Sequence, residues 1–564
     1  MKLKFAWNQN SSAALMALFV VALVNLVVGF SALEPSGGQD SWNHYLYARW
    51  APHHPELLLD QWGKPFFTFF AMPFAWFGIS GVLFFNHLCI LAAAWLVYLT
   101  ARRVGLKNPW LTIFLFAWQP IVLANAHSAL TEPSNAMVLA MICYLFASNR
   151  WTAATVIASF LPMVRSEGFV LLAAVMLFLA LRNRWKYMPL TIVGVLIYGL
   201  IGAIVSGEWN WLIIHNPYVQ QELGRGFDAG HGSFWYYLNH QKEITGIIVT
   251  ILCLVSVVTI LGYIGKRLQK KMPASNSQMA LWLWCPLFGF FFIAHSILWW
   301  KGAMGSHGLL RVFVVVSPVA ALLAMLALDK IMRIEIKALN RVLKSAIVLG
   351  MFFLSFPGAG MPYPWNAKFG NQEGLLARAA GKSVSDAMQW ISTSKYKDNV
   401  LAHQIPAINV AENYDPWLAG EQLHPLGKNG EWMEAKKVSD WPKAARTLSL
   451  WSLDTKDSGA NDWFPSGTVV LWDNFHGRRD GQIRRDQLMA LKNYRIVFEA
   501  GQDDADTCND VVDQQVRLEG GWRGVLRYCR QRRLLNVPYE LIGHGLANRQ
   551  RGRASIRRLS HALY

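Results

Sequence analysis

Charged residues are scarce in this sequence. Only 16% of the 564 residues are Asp, Glu, Lys or Arg, while 53% are hydrophobic. A soluble globular chain carries about a quarter charged residues, so a wholly soluble protein is excluded. The shortage is local. From about Ala13 to Pro357 the chain reads as repeated apolar blocks, each near the roughly 20 residues that cross a bilayer. From Gly358 onward it turns polar and mixed. Cysteine is also sparse. Cys89, Cys143, Cys253 and Cys285 fall in apolar blocks and read as small buried hydrophobes, which leaves Cys508 and Cys529 as the one pair able to bridge outside the cytosol. The polar region has no glycine-rich dinucleotide fingerprint, no Walker loop and no zinc-finger spacing, so nothing in it signals a nucleotide or zinc site. No internal repeat is present, and no pair of related halves of the kind many transporters carry.

The expected fold is mainly α: a polytopic membrane helix bundle of about eleven spans with a C-terminal extracytoplasmic α/β domain. The blocks are 13–33, 81–101, 109–124, 133–148, 151–164, 168–182, 187–206, 244–264, 279–300, 308–328 and 343–357. Residues 1–357 form the membrane domain, 358–529 the soluble domain and 530–564 an Arg-rich tail. In the soluble part, Leu375 to Ser394 and Gln482 to Lys492 have helical periodicity. Asn399 to Ala402, Thr468 to Trp472 and Tyr494 to Phe498 read as strands.

The net charge of +18 does not call for nucleic acid, because the basic residues flank apolar blocks. With the N-terminus in the cytosol, Lys2, Lys4, Arg102, Arg103, Lys107, Arg150, Arg182, Arg184, Lys186, the run Lys266–Lys271 and the run Lys330–Lys344 share the cytosolic side. The first block follows Lys2 and Lys4 and reads as an uncleaved anchor rather than a signal peptide. The predicted topology is a multi-pass protein of the inner or plasma membrane. Its loops 34–80, 125–132, 163–167, 207–243 and 301–307, and the C-terminal domain, face the exterior.

The residues able to do chemistry fall on that exterior side. Asp40 stands in Gly37-Gly38-Gln39-Asp40-Ser41-Trp42-Asn43-His44-Tyr45, just past the first span. It is placed to act as a general base, or more plainly to cap the helix beginning near Ser41. Ser41 to Trp50 has the spacing of a helix lying in the membrane interface. Glu132 opens the fourth span in Thr131-Glu132-Pro133. Lys64, Arg165, His307 and Arg311 supply positive charge on the same side. Arg165 has Glu167 as an obvious partner, and Lys64 has the alternative of snorkelling to the interface. Arg311 lies one turn inside a span, where a cation is costly unless it meets an anion such as a lipid phosphate. His53 and His54 lack a clear third ligand and read as loop histidines. Two acids, several cations and many aromatics at one membrane face suit transfer from an anionic lipid carrier to an acceptor hydroxyl.

These motifs resemble those of membrane glycosyltransferases of the GT-C type, and most of all the family of protein O-mannosyltransferases and lipid A aminoarabinose transferases. The matching features are Asp40 in the first exterior loop, Trp62-Gly63-Lys64-Pro65 before the second span, Thr131-Glu132-Pro133 at the fourth, and Gly308-Leu309-Leu310-Arg311 leading to Pro318. The resemblance covers roughly the membrane body. It implies a hexosyl- or mannosyltransferase-like enzyme that takes a sugar from a polyprenyl-phosphate donor. The acceptor is a glycan, lipid or protein, the anomeric carbon is inverted, and membrane lipids surround the site. Asp40 would be the base, with Glu132 as second acid. Lys64 and Arg311 would sit at the phosphate, and Arg165, His307, Trp62 and His44 would complete the substrate-binding set. The sequence departs from the family in having Gln39 and Ser41, not an acid, beside Asp40. No metal ligand is therefore assigned and a divalent metal is left as an alternative. A different class, a transporter or lipid flippase, would place ionisable groups near the bilayer midplane.

Overall fold

The computed structural model describes residues 9–31, 35–220, 230–268, 279–333, 337–355, 381–403, 405–411, 413–417, 447–449, 467–472, 495–500 and 509–513. Helices form at every apolar block. The first is α1 (Gln9–Ser31), followed by α2 (Gln39–Trp50), α3 (Pro65–Ala75) and α4 (Gly78–Arg103). Next come α5 (Leu111–Ala117), α6 (Pro120–Ala126), α7 (Glu132–Ala147), α8 (Trp151–Ala158), α9 (Leu161–Val164), α10 (Gly168–Leu181) and α11 (Val193–Ser206). Among the described residues, five helical stretches are long and apolar enough to cross a bilayer: Asn10–Gly29, Gly78–Arg103, Trp185–Ser206, Ala280–Lys301 and Leu310–Met332. The chain is an integral membrane protein. Two blocks that read as continuous are broken, and proline explains both: Pro120 restarts the chain after Trp118 and Gln119, and Pro162 opens α9 after Ser159 and Phe160.

The stretch Leu310–Met332 is the axis of the bundle. It begins as a 3-10 turn at Leu310–Val316 and continues as a helix over Ser317–Met332, and its apolar window is wholly buried. α4 packs along α7. Ala93, Ala94 and Ala101 of the former and Ala136, Ala140 and Cys143 of the latter are buried small residues that let the backbones approach. The outer surface is different: Leu23, Phe69, Leu196, Ile204, Ile251 and Val258 are exposed, as expected of side chains that face lipid.

The C-terminal region holds a five-stranded sheet in the order β2-β1-β3-β5-β4. Its strands are β1 (Leu401–His403), β2 (Thr447–Ser449), β3 (Val469–Trp472), β4 (Arg495–Ala500) and β5 (Asn509–Asp513). β1 runs parallel to β2 and β3, and β5 runs antiparallel to β3 and β4. A helix at Gly381–Thr393 covers it, with Ala387 and Ile391 buried against Leu401, Val469 and Leu471. The expected helix over Gln482 to Lys492, Cys508, Cys529 and the Arg-rich tail lie outside the described residues.

Candidate active site

Two loops from distant parts of the chain build the site. Ser36 and Ser128 form a parallel bridge, and the Ser36 N–H donates to the His127 carbonyl at 2.8 Å. Ser41 Oγ donates to the Ser36 carbonyl and accepts the Ala129 N–H at 3.2 Å. From α4, the Asn86 amide donates to the carbonyls of Ser128 (2.6 Å) and Leu130 (2.8 Å). Gly37 and Gly38 turn this strand into α2 with φ of 93° and 61°, and a Cβ on Gly37 would lie 2.3 Å from Leu130. Only glycine meets both demands. Asp40 therefore falls in the first turn of α2 and is not its cap; the cap position is Gly38. Seven residues of α2 are buried, so the helix is covered by protein rather than lying on lipid.

Asp40, Glu132, Arg165 and Arg311 meet here. Arg311 sits in the 3-10 turn that opens the axial helix. Its guanidinium donates to the Gly37 carbonyl at 3.0 Å and pairs with Asp40, and its Nε lies 3.5 Å from Glu132 Oε1. Glu132, 1% exposed, also takes Arg165 Nη1 at 2.8 Å. Arg165 reaches Glu167 at 2.8 Å and Thr131 Oγ1 at 2.9 Å. So Arg165 does pair with its neighbour Glu167, and with Glu132 as well. Burial opposes charge on both Arg165 and Glu167. Their mutual attraction, with Glu132 added, outweighs it: Glu167 is held well below the usual carboxylate range and Arg165 above the usual guanidinium range.

Lys64 is 3% exposed and does not snorkel. Its ammonium donates to the Gln61 carbonyl (2.8 Å), Ser166 Oγ (3.0 Å) and the Tyr218 hydroxyl (3.0 Å), all neutral oxygens. Ser166 lies between Arg165 and Glu167, so the lysine stands beside the ion-pair network. His44 follows Asp40 by one helical turn and stacks on Trp62, with ring centroids 4.6 Å apart and planes 12° from parallel. Burial, aided by Lys64, Arg165 and Arg311 and opposed by Asp40, holds the His44 imidazole neutral, with its pKa lowered to about 3. His307 is half-buried in the turn before Arg311, with φ 49°.

Asp60, Tyr47, Ser166, Glu167 and Tyr218 also belong to this site, although sequence patterns did not single them out as site residues. Asp60 was legible in part: an Asp ahead of Gln-Trp-Gly-Lys-Pro is placed to close the turn with its own side chain. Burial pushes its carboxyl up from the ordinary range, against the N–H groups of Gly63 and Trp62 and the Tyr47 hydroxyl. Among the described residues, no three His, Cys, Asp or Glu side chains stand close enough to hold a metal ion. Asp40 and Glu132 are both engaged by guanidinium groups.

Chemically the cluster offers a partly exposed carboxylate, Asp40 at 39% side-chain exposure, beside a guanidinium, Arg311, that can take an anion. Four carboxylates (Asp40, Asp60, Glu132, Glu167) stand among Lys64, Arg165 and Arg311, and the opposite charges make one another tolerable out of water.

No protein-family model matches the chain, and no curated protein sequence does either. Solved structures do share its fold. ArnT from Cupriavidus metallidurans bound to undecaprenyl phosphate superposes with a TM-score of 0.54 at 12% identity, covering 87% of this chain and 97% of that one. The same protein in the apo state gives 0.50 at 13% identity, covering 88% and 98%. The chain shares the fold of these ArnT structures, in line with the resemblance read from its motifs.

Proposed function

We propose that this protein is a multi-pass membrane glycosyltransferase. It moves a sugar from a polyprenyl-phosphate carrier to a hydroxyl on a glycan, lipid or protein acceptor, at the extracytoplasmic face where its C-terminal domain also lies. One observation carries the reading. On a fold shared with a protein crystallised with undecaprenyl phosphate, a reachable carboxylate, Asp40, pairs with Arg311, and a buried ammonium, Lys64, has only neutral hydrogen-bond partners among the described residues; both act on the charge of His44. Asp60 and Glu167 act on this ammonium electrostatically but neither is in direct contact with it, and an anion that completed its shell would stabilise it.

In the proposed reaction the acceptor oxygen attacks the anomeric carbon from the face opposite the phosphate. The new C–O bond forms as the bond to phosphate breaks, so the configuration inverts and the polyprenyl phosphate departs with the electron pair. Asp40 takes the hydroxyl proton. Lys64 and Arg311 stabilise the departing phosphate. Arg311 is divided between Asp40, Glu132 and the Gly37 carbonyl. A phosphate that takes part of its fork leaves Asp40's oxygens to the acceptor hydroxyl. Glu132 holds Arg311 and Arg165 in place. His44 and Trp62 offer a flat stacked surface for the sugar, and His307 is placed to reach the donor. An apolar cavity of about 280 Å³ lined by Phe66, Phe70, Val138, Ile157 and Phe160 begins two residues beyond Lys64 and suits a prenyl chain.

The test is Asp40→Asn, assayed by mass spectrometry of lipid-linked sugars and envelope glycans in cells with and without the protein. Transfer should be abolished with membrane insertion unchanged. Full transfer by this variant would remove Asp40 from the mechanism.

A further inference from the structure

Lys64 is aimed by a turn whose supports, Asp60 and Tyr47, lie behind it and are themselves backed by residues far along the chain. The two oxygens of Asp60 have different partners. Oδ1 accepts the backbone N–H groups of Trp62 (2.6 Å) and Gly63 (2.8 Å), and Oδ2 accepts the Tyr47 hydroxyl at 2.8 Å. The turn closed in this way leaves Lys64 at φ 59°, immediately before Pro65 starts α3. A non-glycine residue holds that conformation only where its surroundings enforce it. Gly63 lies so close under Tyr47 that a Cβ there would sit 2.4 Å from the ring. Ring, turn and lysine form one packed unit.

The other side of that unit is held by residues more than 350 positions away. Trp417 meets the Tyr47 ring edge-on, 5.0 Å between centroids and 89° between planes. The Trp417 N–H donates to Asp415 Oδ1 at 3.0 Å, and Asp415 Oδ2 lies 2.7 Å from His54 Nε2. The 3-10 turn Pro55–Leu59 has His54 as its N-cap and Asp60 as its C-cap. Asp415 thus fixes one end of the turn, and Tyr47, backed by Trp417, fixes the other. The helix Pro406–Ala411 packs on α2 alongside, with Val410 against the cluster of Tyr45, Leu46 and Phe67.

We propose that Asp60 is a positioning residue for Lys64, and that Val410, Asp415 and Trp417 form a clamp holding the Asp60 turn in place. The C-terminal region then governs how tightly the donor phosphate is held without touching the donor. This rests on the reading of Lys64 as the phosphate-holding residue. Misplacing a binding group by about 1 Å can cost on the order of a hundredfold, so a clamp on its turn has leverage.

The experiment measures the affinity of the purified full-length protein for undecaprenyl phosphate in detergent, by native mass spectrometry. It compares wild type with Lys64→Ala, Asp60→Ala, Asp60→Asn, Tyr47→Phe and Trp417→Ala. Lys64→Ala and Asp60→Ala should each weaken binding roughly tenfold or more, and Trp417→Ala and Tyr47→Phe by about threefold to tenfold. Asp60→Asn keeps an oxygen for the two N–H groups and an amide that can donate to the Tyr47 oxygen, so it should stay within about threefold of wild type. In a transfer assay, Trp417→Ala should raise KM for the donor and leave kcat at saturating donor near wild type, a split that general destabilisation does not produce. Tyr47→Phe keeps the ring and tests the same contact if Asp60→Ala fails to fold. Loss in Lys64→Ala with wild-type binding in Asp60→Ala or Tyr47→Phe and in Trp417→Ala overturns this inference and spares the donor reading. Equal loss in Asp60→Asn and Asp60→Ala also overturns it, since charge and not placement would then matter. Binding unchanged by Lys64→Ala, or absent in wild type, overturns the donor reading and this inference with it.

Discussion

Replacing Glu132 by Gln probes the centre of the charge network. The side chain is 1% exposed and its Oε1 is shared by Arg165 at 2.8 Å and Arg311 at 3.5 Å. Gln keeps the shape and one accepting oxygen, but removes the charge between two buried guanidinium groups. A unit-charge pair at 4 Å is worth about 4 kcal/mol at an effective dielectric of 20, and several kcal/mol of this is offset by keeping the carboxylate out of water. Breaking a buried pair from one side costs about 3–5 kcal/mol. Arg165 keeps Glu167 and Arg311 keeps Asp40, so the loss should fall at the lower end of that range, about 3 kcal/mol. Thermal unfolding of the purified protein in detergent, followed by tryptophan fluorescence, should show Tm lower by several degrees. Arg311 would then keep Asp40 and the Gly37 carbonyl but lose its second carboxylate, and kcat should drop on the order of tenfold. The double variant Glu132→Gln/Arg165→Gln should lose less stability than the two single losses added together, because opposite charges leave together. An unchanged Tm in Glu132→Gln, or strict additivity in the double variant, refutes the reasoning.

Two further outcomes follow from single contacts. His44 stays neutral when folded until about pH 3 against an ordinary value of 6.5. The unfolded chain therefore binds a proton that the native state refuses, and stability should fall as pH drops from about 6.5 towards 3. His44→Phe should flatten that part of a plot of Tm against pH, and an identical slope in the two proteins would contradict the assignment. Gly63→Ala would push a methyl to 2.4 Å from the Tyr47 ring. Binding of undecaprenyl phosphate by this variant should fall roughly tenfold or more, and wild-type affinity would mean that the turn adjusts freely.

The sequence carried the helical blocks because an apolar run of bilayer length has few other uses. It also carried the grouping of Asp40, Glu132, Arg165 and Arg311, since each stands at the end of an apolar block on one expected side. The breaks at Gln119 and Phe160 were visible as Pro120 and Pro162, yet hydropathy alone runs through both. What could not be read was pairing. That Arg311 would take Asp40, and Arg165 would bridge Glu132 to Glu167, depends on which loop ends touch, and the bridge between Ser36 and Ser128 decides that. The burial of Lys64 was missed for a similar reason. Its cover comes from Ser166 and Tyr218, far along the chain. The His54–Asp415 contact spans 361 positions and leaves no local pattern at either end.

The helix that carries Arg311 at its tip is shut away from the surrounding bilayer along its apolar window, while α11 and Ile247–Leu268 present Ile204 and Val258 outward. A membrane that thickens or thins acts first on those outer helices, through tilt and mismatch. The arginine rides on a shaft that feels such strain only second-hand. Turnover should therefore depend less on lipid chain length than in a transporter whose moving helices are themselves wetted by lipid.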